Sequence, residues 1–306
     1  MTKASQDILK TLAYFDYFSY PLTNEDIRLF LCRQCSQTQI DEMLVELTGD
    51  KIIFKIRDYY TLQNKPLLVD KRLKGNAMAV KQLAIAARVA KIIGRFPFVE
   101  SIAVSGSLSK HYADEKTDID FFIITTANRL WIARTLMHVF KKLSYLAGKQ
   151  HWFCMNYYVD EVALEIPEKN IFTAMEIVTL LPMTGLKHFK NFTEANRWAS
   201  DFFPAYSISL DVDKDVRKGF IRRWVERLFS SGAGDSIDKW LMKITDKRWK
   251  KKVTREKLNA HGTRIGMMVN RHYSKPDPKN FQLKVVQQYE KRVKELLGSI
   301  PVTANL

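Results

Sequence analysis

Residues 104 to 121 read Val104-Ser-Gly-Ser-Leu-Ser-Lys-His-Tyr-Ala-Asp-Glu-Lys-Thr-Asp118-Ile-Asp120-Phe121, and the apolar runs on either side decide how this stretch folds. Residues 99 to 104 read as a short strand, and Ile119, Phe121, Phe122, Ile123 and Ile124 mark a second, strongly β-prone one. Both are too apolar to face water on two sides. Alternate residues of a strand share a face, so Asp118 and Asp120 project together, where two carboxylates repel each other unless a cation lies between them. Hard oxygen ligands of this kind suit Mg²⁺ (or Mn²⁺), which completes its shell with water and phosphate oxygens. Gly106 lets the backbone approach a phosphate closely, and the N–H groups of Ser107 and Leu108, opening a helical turn, can donate to it together with the Ser107 hydroxyl. Lys110 in the spacer and Arg129 and Arg134 beyond the second strand are the basic candidates for the same anion. A solvated pair of acids on an edge strand would not account for the apolar residues that surround them.

Working outward, residues 69–185 read as an α/β core. A long helix over about 71 to 94 precedes the first strand, and another helix starts at Asn128. Trp152 to Val159 reads as a third strand, paired in a hairpin with Val162 to Ile166. Residues 1–68 read as three helices and a hairpin. Thr23 and Asp26 form a helix-starting pair, Gln37 to Leu47 turns Ile40, Met43, Leu44 and Leu47 inward, and two strands meet at Arg57 and Asp58. That is the element order of a winged-helix domain, although its third helix carries Asp41, Glu42 and Glu46, the wrong sign for phosphate contact. From Leu186 to the end, residues 186–306, the pattern reads as helical throughout, with helices over Arg217 to Phe229, Ile237 to Trp249, Arg255 to Asn270 and Asn280 to Leu297.

The chain has 306 residues and a formal charge of +16, and the excess is C-terminal: residues 186–306 hold 26 Lys and Arg against 13 acids. This asymmetry points to a polyanion, RNA first and an anionic membrane surface second, with the densest cluster at Lys247, Arg248, Lys250, Lys251 and Lys252. Three cysteines provide no disulfide framework and fit a reducing cytoplasm. Cys32 and Cys35 form a CxxC that His151 and Cys154 would complete as a zinc site, but the surrounding segment reads as helix, which favours buried cysteines over a metal knuckle. No run of about 18 uncharged apolar residues is present, so no membrane span is expected.

The stretch from Val104 to Phe121 resembles the signature of nucleotidyltransferases of the DNA polymerase β superfamily: Gly106-Ser107, ten residues, then Asp118-Ile119-Asp120-Phe121. Phe96-Pro-Phe98, Asn128 to Arg134, Asn156-Tyr157 and Thr173 to Glu176 extend the likeness to a bacterial branch with an N-terminal winged-helix-like part. The resemblance implies an α+β fold with a small mixed sheet, and Mg²⁺-dependent transfer of a nucleoside monophosphate from a triphosphate to an acceptor hydroxyl. Asp118 and Asp120 would be catalytic and metal-binding; Gly106, Ser107, Lys110 and Arg129 would bind the nucleotide. Many such enzymes have a third carboxylate on the next core strand. The aligned position here is Asn156, with Asp160 on the same strand face by parity and Glu165 as candidates to replace it. The alternative is a protein that keeps the fold and binds nucleotide or nucleic acid without efficient transfer.

Overall fold

Three side-chain caps start the N-terminal helices. Thr2 precedes α1 (Lys3–Asp16), and capping boxes at Thr23/Asp26 and Ser36/Gln39 open α2 (Asn24–Phe30) and α3 (Gln37–Gly49). A hairpin of β2 (Phe54–Ile56) and β3 (Tyr59–Thr61) follows, its turn at Arg57 in the left-handed region (φ 55°). With β1 (Leu22–Thr23) on the other side of β3, these form a three-stranded sheet. The computed structural model describes residues 1–115, 118–145, 154–208, 210, 219–254, 267–276 and 281–298, with side chains apart from those of 143–145, 154–156, 252–254, 267 and 276.

Pro66, at the first helical position where its missing N–H costs nothing, begins α4 (Pro66–Ile93), earlier than its apolar periodicity alone suggests. The central sheet is then built from β4 (Val99–Val104), β5 (Asp120–Thr125), β6 (Cys154–Asp160), β7 (Leu181–Thr184), β8 (Met267–Val269) and β9 (Tyr273–Pro276). Its order is β7-β4-β5-β6-β9-β8. β4 and β5 are antiparallel; β5 and β6 are parallel, joined through α5 (Leu130–Tyr145). The protein is therefore a mixed α+β fold.

The two faces of this sheet bury different partners. Phe121, Ile123 and Tyr158 pack with α4 and α5, while Phe122, Ile124 and Val159 pack with α6 (Ile171–Val178) and α7 (Leu186–Ala195). The second cluster runs on without a break into the core of α1, α2 and α3. It also takes in α8 (Trp198–Phe202) and α11 (Phe281–Gly298), so the first and last helices meet, with Tyr14 edge-on to Tyr289 at 6.0 Å between ring centres.

Several sequence expectations are corrected. The C-terminal part is not helical throughout: α9 (Phe220–Leu228) and α10 (Gly232–Thr254) are followed by β8 and β9, and β9 pairs with β6 at Tyr158 and Val159. Residues 267 to 269, expected to end a helix, are strand; residues 255 to 266 lie outside the described part. Such short strands carry no periodicity of their own and owe their conformation to the sheet edge they complete. Residues 162 to 166 form no strand, because β9 already occupies that side of β6. α10 begins at Gly232, ahead of the expected Ile237, with Gly234 N–H bonding the Ser231 carbonyl at 2.9 Å. Cys32 and Cys35 lie in the connection between α2 and α3, with Cys32 exposed instead of buried in a helix. Among the described residues no helix is long and apolar enough to cross a membrane.

Candidate active site

Where β4 ends, the chain turns sharply. Ser105 N–H still bonds the Asp120 carbonyl at 2.9 Å, continuing the ladder to β5. Gly106 then takes φ 70°, a conformation that costs any residue with a Cβ, and Leu108–Lys110 make one turn of 3-10 helix. The turn is tied back on itself: Ser109 Oγ and Lys110 Nζ donate to the Gly106 carbonyl at 2.9 and 3.1 Å, and Leu108 is buried beneath. Gly106 faces the first residue of β5 so closely that a Cβ built on it would stand 3.0 Å from Asp120 Oδ2. The pair of strands thus presses a carboxylate against a glycine turn, and Ser107 is left exposed beside them.

These residues form one end of a cavity of about 500 Å³. Ser105, Gly106, Ser107, Lys110 and Asp120 line that end. Lys110 also pairs with Glu176 of α6 at 2.7 Å, and Lys275 of β9 enters the wall from the far side of the sheet. Phe122 and Tyr157 form the floor, their rings 5.3 Å apart. Burial, reinforced by the charge of Glu168, pushes the Tyr157 phenol well above its ordinary value, so it stays a neutral hydroxyl.

Asp118 precedes the first residue of β5. Ile119, between the two aspartates, is buried with Phe121 and Ile123 on the opposite face, which leaves Asp120 on the cavity side; Asp118, two residues before the strand, is half-buried and is not among the residues that line the cavity. The Asp120 carboxylate, the glycine turn closed against it and the adjacent hydroxyls fit a divalent cation with phosphate ligands.

The structure separates Asp160 and Arg129 from this end. β6 runs parallel to β5 with Asp120 opposite Cys154 and Thr125 opposite Asp160, so Asp160 lies five residues up the sheet, roughly 16 Å at the usual strand rise. There it is fully buried and accepts from the N–H groups of Asn128 (2.9 Å) and Val162 (3.0 Å) and meets His272 Nδ1 at 2.9 Å. Asp160 thus fastens the loops beyond the strands, at a distance from the Gly106 turn. Arg129, also buried, donates to the carbonyls of Phe229 (2.7 Å), Ser230 (3.2 Å) and Ser231 (3.3 Å) and pairs with Asp235, holding the α9–α10 connection rather than a nucleotide. Glu165 is exposed on a loop and paired with Lys169. The side chain of Asn156 lies outside the described part; the β5–β6 register skips it, between Met155 opposite Phe121 and Tyr157 opposite Phe122.

Several cavity residues escape motif reading: Lys275 and the aromatic run from Tyr14 through Phe15 and Phe18 to Tyr20. The density of rings in residues 14 to 20 was the available signal. No protein-family model matches the chain, and neither a curated protein nor a solved structure matches it.

Proposed function

We propose that this chain is a metal-dependent nucleotidyltransferase of the DNA polymerase β superfamily type, working in the cytoplasm. The reading is carried by the seating of the Asp120 carboxylate against the positive-φ turn at Gly106, at the polar end of the cavity. In it, Gly106 and Ser107 receive the phosphates and the Lys110 ammonium adds positive charge at the same end. Asp118 and Asp120 would hold Mg²⁺ or Mn²⁺, which when bound neutralises the triphosphate and aligns it. The acceptor hydroxyl oxygen bonds to the α-phosphorus while the bond from that phosphorus to the bridging oxygen breaks. Pyrophosphate leaves with that electron pair, and the hydroxyl proton passes to solvent. The helix, strand, helix, helix, hairpin order of residues 1–68 supports a winged-helix-like part whose acidic α3 suits a protein or structural contact.

The basic cluster supports an RNA acceptor less well than its charge alone suggests. Leu241 and Met242 seat α10 on the α4 and α5 side of the sheet, whereas the cavity opens on the α6 and α7 side. Exposed Lys247, Arg248, Lys250 and Lys251 therefore stand on the layer opposite Asp120. A second reading, nucleotide binding without efficient transfer, draws support from the placement of Asp160 and Glu165, neither of which supplies a third carboxylate at the cavity.

Titration calorimetry with Mg²⁺ and ATP, followed by incubation with α-labelled triphosphate and candidate acceptors, tests both. Binding with transfer of label supports the enzyme; binding without transfer to any acceptor supports the second reading. Absence of binding with any of the four common triphosphates overturns both.

A further inference from the structure

Helix α9 buries an arginine and presents a stripe of large apolar side chains to the outside. On its buried side Arg222 bonds Glu226 through Nε at 2.7 Å, the Gly94 carbonyl through Nη1 at 2.7 Å and Glu100 through Nη2 at 3.1 Å. Glu226 also accepts from the Phe98 N–H at 3.0 Å, and Val225 and Phe229 pack on the α4 and α5 side of the sheet. The outward side carries Phe220, Ile221, Trp224 and Leu228, which are 76%, 76%, 59% and 55% exposed. Phe220, Trp224 and Leu228 repeat every four residues and so form one stripe, with Ile221 along one edge and the exposed Arg223 and Arg227 along the other.

Single exposed apolar side chains are ordinary, but a contiguous stripe of them marks a surface that meets a partner. The helix cannot roll to bury it, because that would pull the Arg222 guanidinium off three buried acceptors. The surrounding charge gives the chemistry of the partner. Residues 219–254 hold ten Lys and Arg against four acids. All four acids are engaged: Glu226 as above, Asp235 with Arg129, Asp238 by the N–H groups of Trp131 and Ile132 at 2.8 and 2.9 Å, and Asp246 with Lys250 at 2.7 Å. On α10 Trp240 is exposed as well, and the exposed Lys243, Lys247 and Lys251 follow it on the same side of that helix.

A second copy of the chain would set Arg223 and Arg227 against the same two residues across a twofold axis. Single-stranded RNA would stack on Phe220 and Trp224 but gain little from Ile221 and Leu228, which have no ring face. An anionic bilayer suits both halves of the surface: rings and branched chains enter the boundary between headgroups and acyl chains, and the cations stay with the lipid phosphates. We infer that α9, assisted by the lysines of α10, is a peripheral docking surface for an anionic lipid membrane. Docking on this side leaves the cavity, on the opposite layer, open to water. It does not depend on the nucleotide reading.

The test is flotation of the full chain with unilamellar vesicles, either of phosphatidylcholine alone or of equal parts phosphatidylcholine and phosphatidylglycerol. The chain should float with the anionic vesicles only, and less as added salt screens the attraction. Phe220→Ser with Trp224→Ser removes the apolar anchor and should lower partitioning by about tenfold or more. Arg223→Gln with Arg227→Gln should lower it by about fivefold for each charge removed. All four side chains are exposed, so melting temperatures should stay near that of the wild type. If one pair fails to fold, the other carries the measurement. Lipid docking is overturned if the wild type does not float with anionic vesicles, or if the substitutions leave flotation unaltered. It is equally overturned by a dimer in sedimentation that the Phe220 and Trp224 pair dissociates, which would give the stripe to a second copy. Binding of oligouridylate that the same pair abolishes, in a chain that ignores vesicles, would give it to RNA.

Discussion

A Cβ placed on Gly106 would meet the carboxylate of Asp120 at 3.0 Å, on a backbone whose φ of 70° already disfavours L side chains. Gly106→Ala therefore combines about 1 to 2 kcal/mol of backbone strain with displacement of the carboxylate by a few tenths of an ångström or more. The expected result is a modest loss of stability in chemical denaturation and a loss of Mg²⁺–ATP affinity of about tenfold or greater. Affinity and stability both equal to wild type would show that the turn does not position Asp120.

Asp120 lines the cavity, and Asp118 stands two residues ahead of it, with Ile119 between them committed to the opposite core. Asp118→Asn together with Asp120→Asn removes the anionic charge that would hold a divalent cation and leaves side-chain volume almost unchanged. Calorimetry should show Mg²⁺-dependent triphosphate binding abolished, while thermal unfolding remains cooperative and at or slightly above the wild-type temperature as like-charge repulsion disappears. Retained metal-dependent binding in the double variant would remove the aspartates from the site.

The legible parts of this fold are those where local pattern and tertiary role coincide. The apolar run before Ser105 is strand over Val99–Val104, and the run containing Asp120 is strand over Asp120–Thr125, because each is buried on both faces. The two short strands β8 and β9 were hidden, since three or four residues carry no period and only the edge of β6 makes them strand. Parity correctly groups residues by face but says nothing about which end of a sheet they occupy, and that is why Asp160 seemed close to Asp120. Arg129 reads in the sequence as a cation for the nucleotide, and the partner that shows its other role, Asp235, is 106 residues away. The cavity was equally remote from local reading, being assembled from Tyr14, Gly106, Glu176 and Lys275.

Asp160 provides the contrasting test. Its carboxylate is fully buried and accepts from two backbone N–H groups besides facing His272, so truncation strands all three. Asp160→Ala should cost about 2 to 4 kcal/mol in denaturant unfolding, the range for breaking a buried charged cluster from one side. Triphosphate affinity of the folded fraction should stay within about twofold of wild type, a difference of less than 0.5 kcal/mol. A folded variant of wild-type stability that loses transfer would return Asp160 to the chemistry.

His188, on α7, bridges the sheet to the loop after β6: its Nδ1 meets Glu161 at 2.7 Å and its Nε2 lies 3.6 Å from Glu100, which also pairs with the buried Arg222 at 3.1 Å. The hydrogen bond to Glu161 raises the imidazole above its ordinary value of 6.5, with the charges of Glu100 and Glu161 adding, against partial burial and the nearby Lys187. Because the folded value lies above the unfolded one, the stabilisation is complete below pH 6.5 and is lost as pH rises through the folded value. His188→Gln keeps a hydrogen-bonding side chain without the charge. The stability difference between wild type and variant should be greatest at about pH 5.5 and shrink steadily toward about pH 9, read from urea midpoints across that range. A difference that is flat across the range, or that grows with pH, would mean that His188 is not protonated preferentially in the folded protein and that its bond to Glu161 holds equally well when neutral.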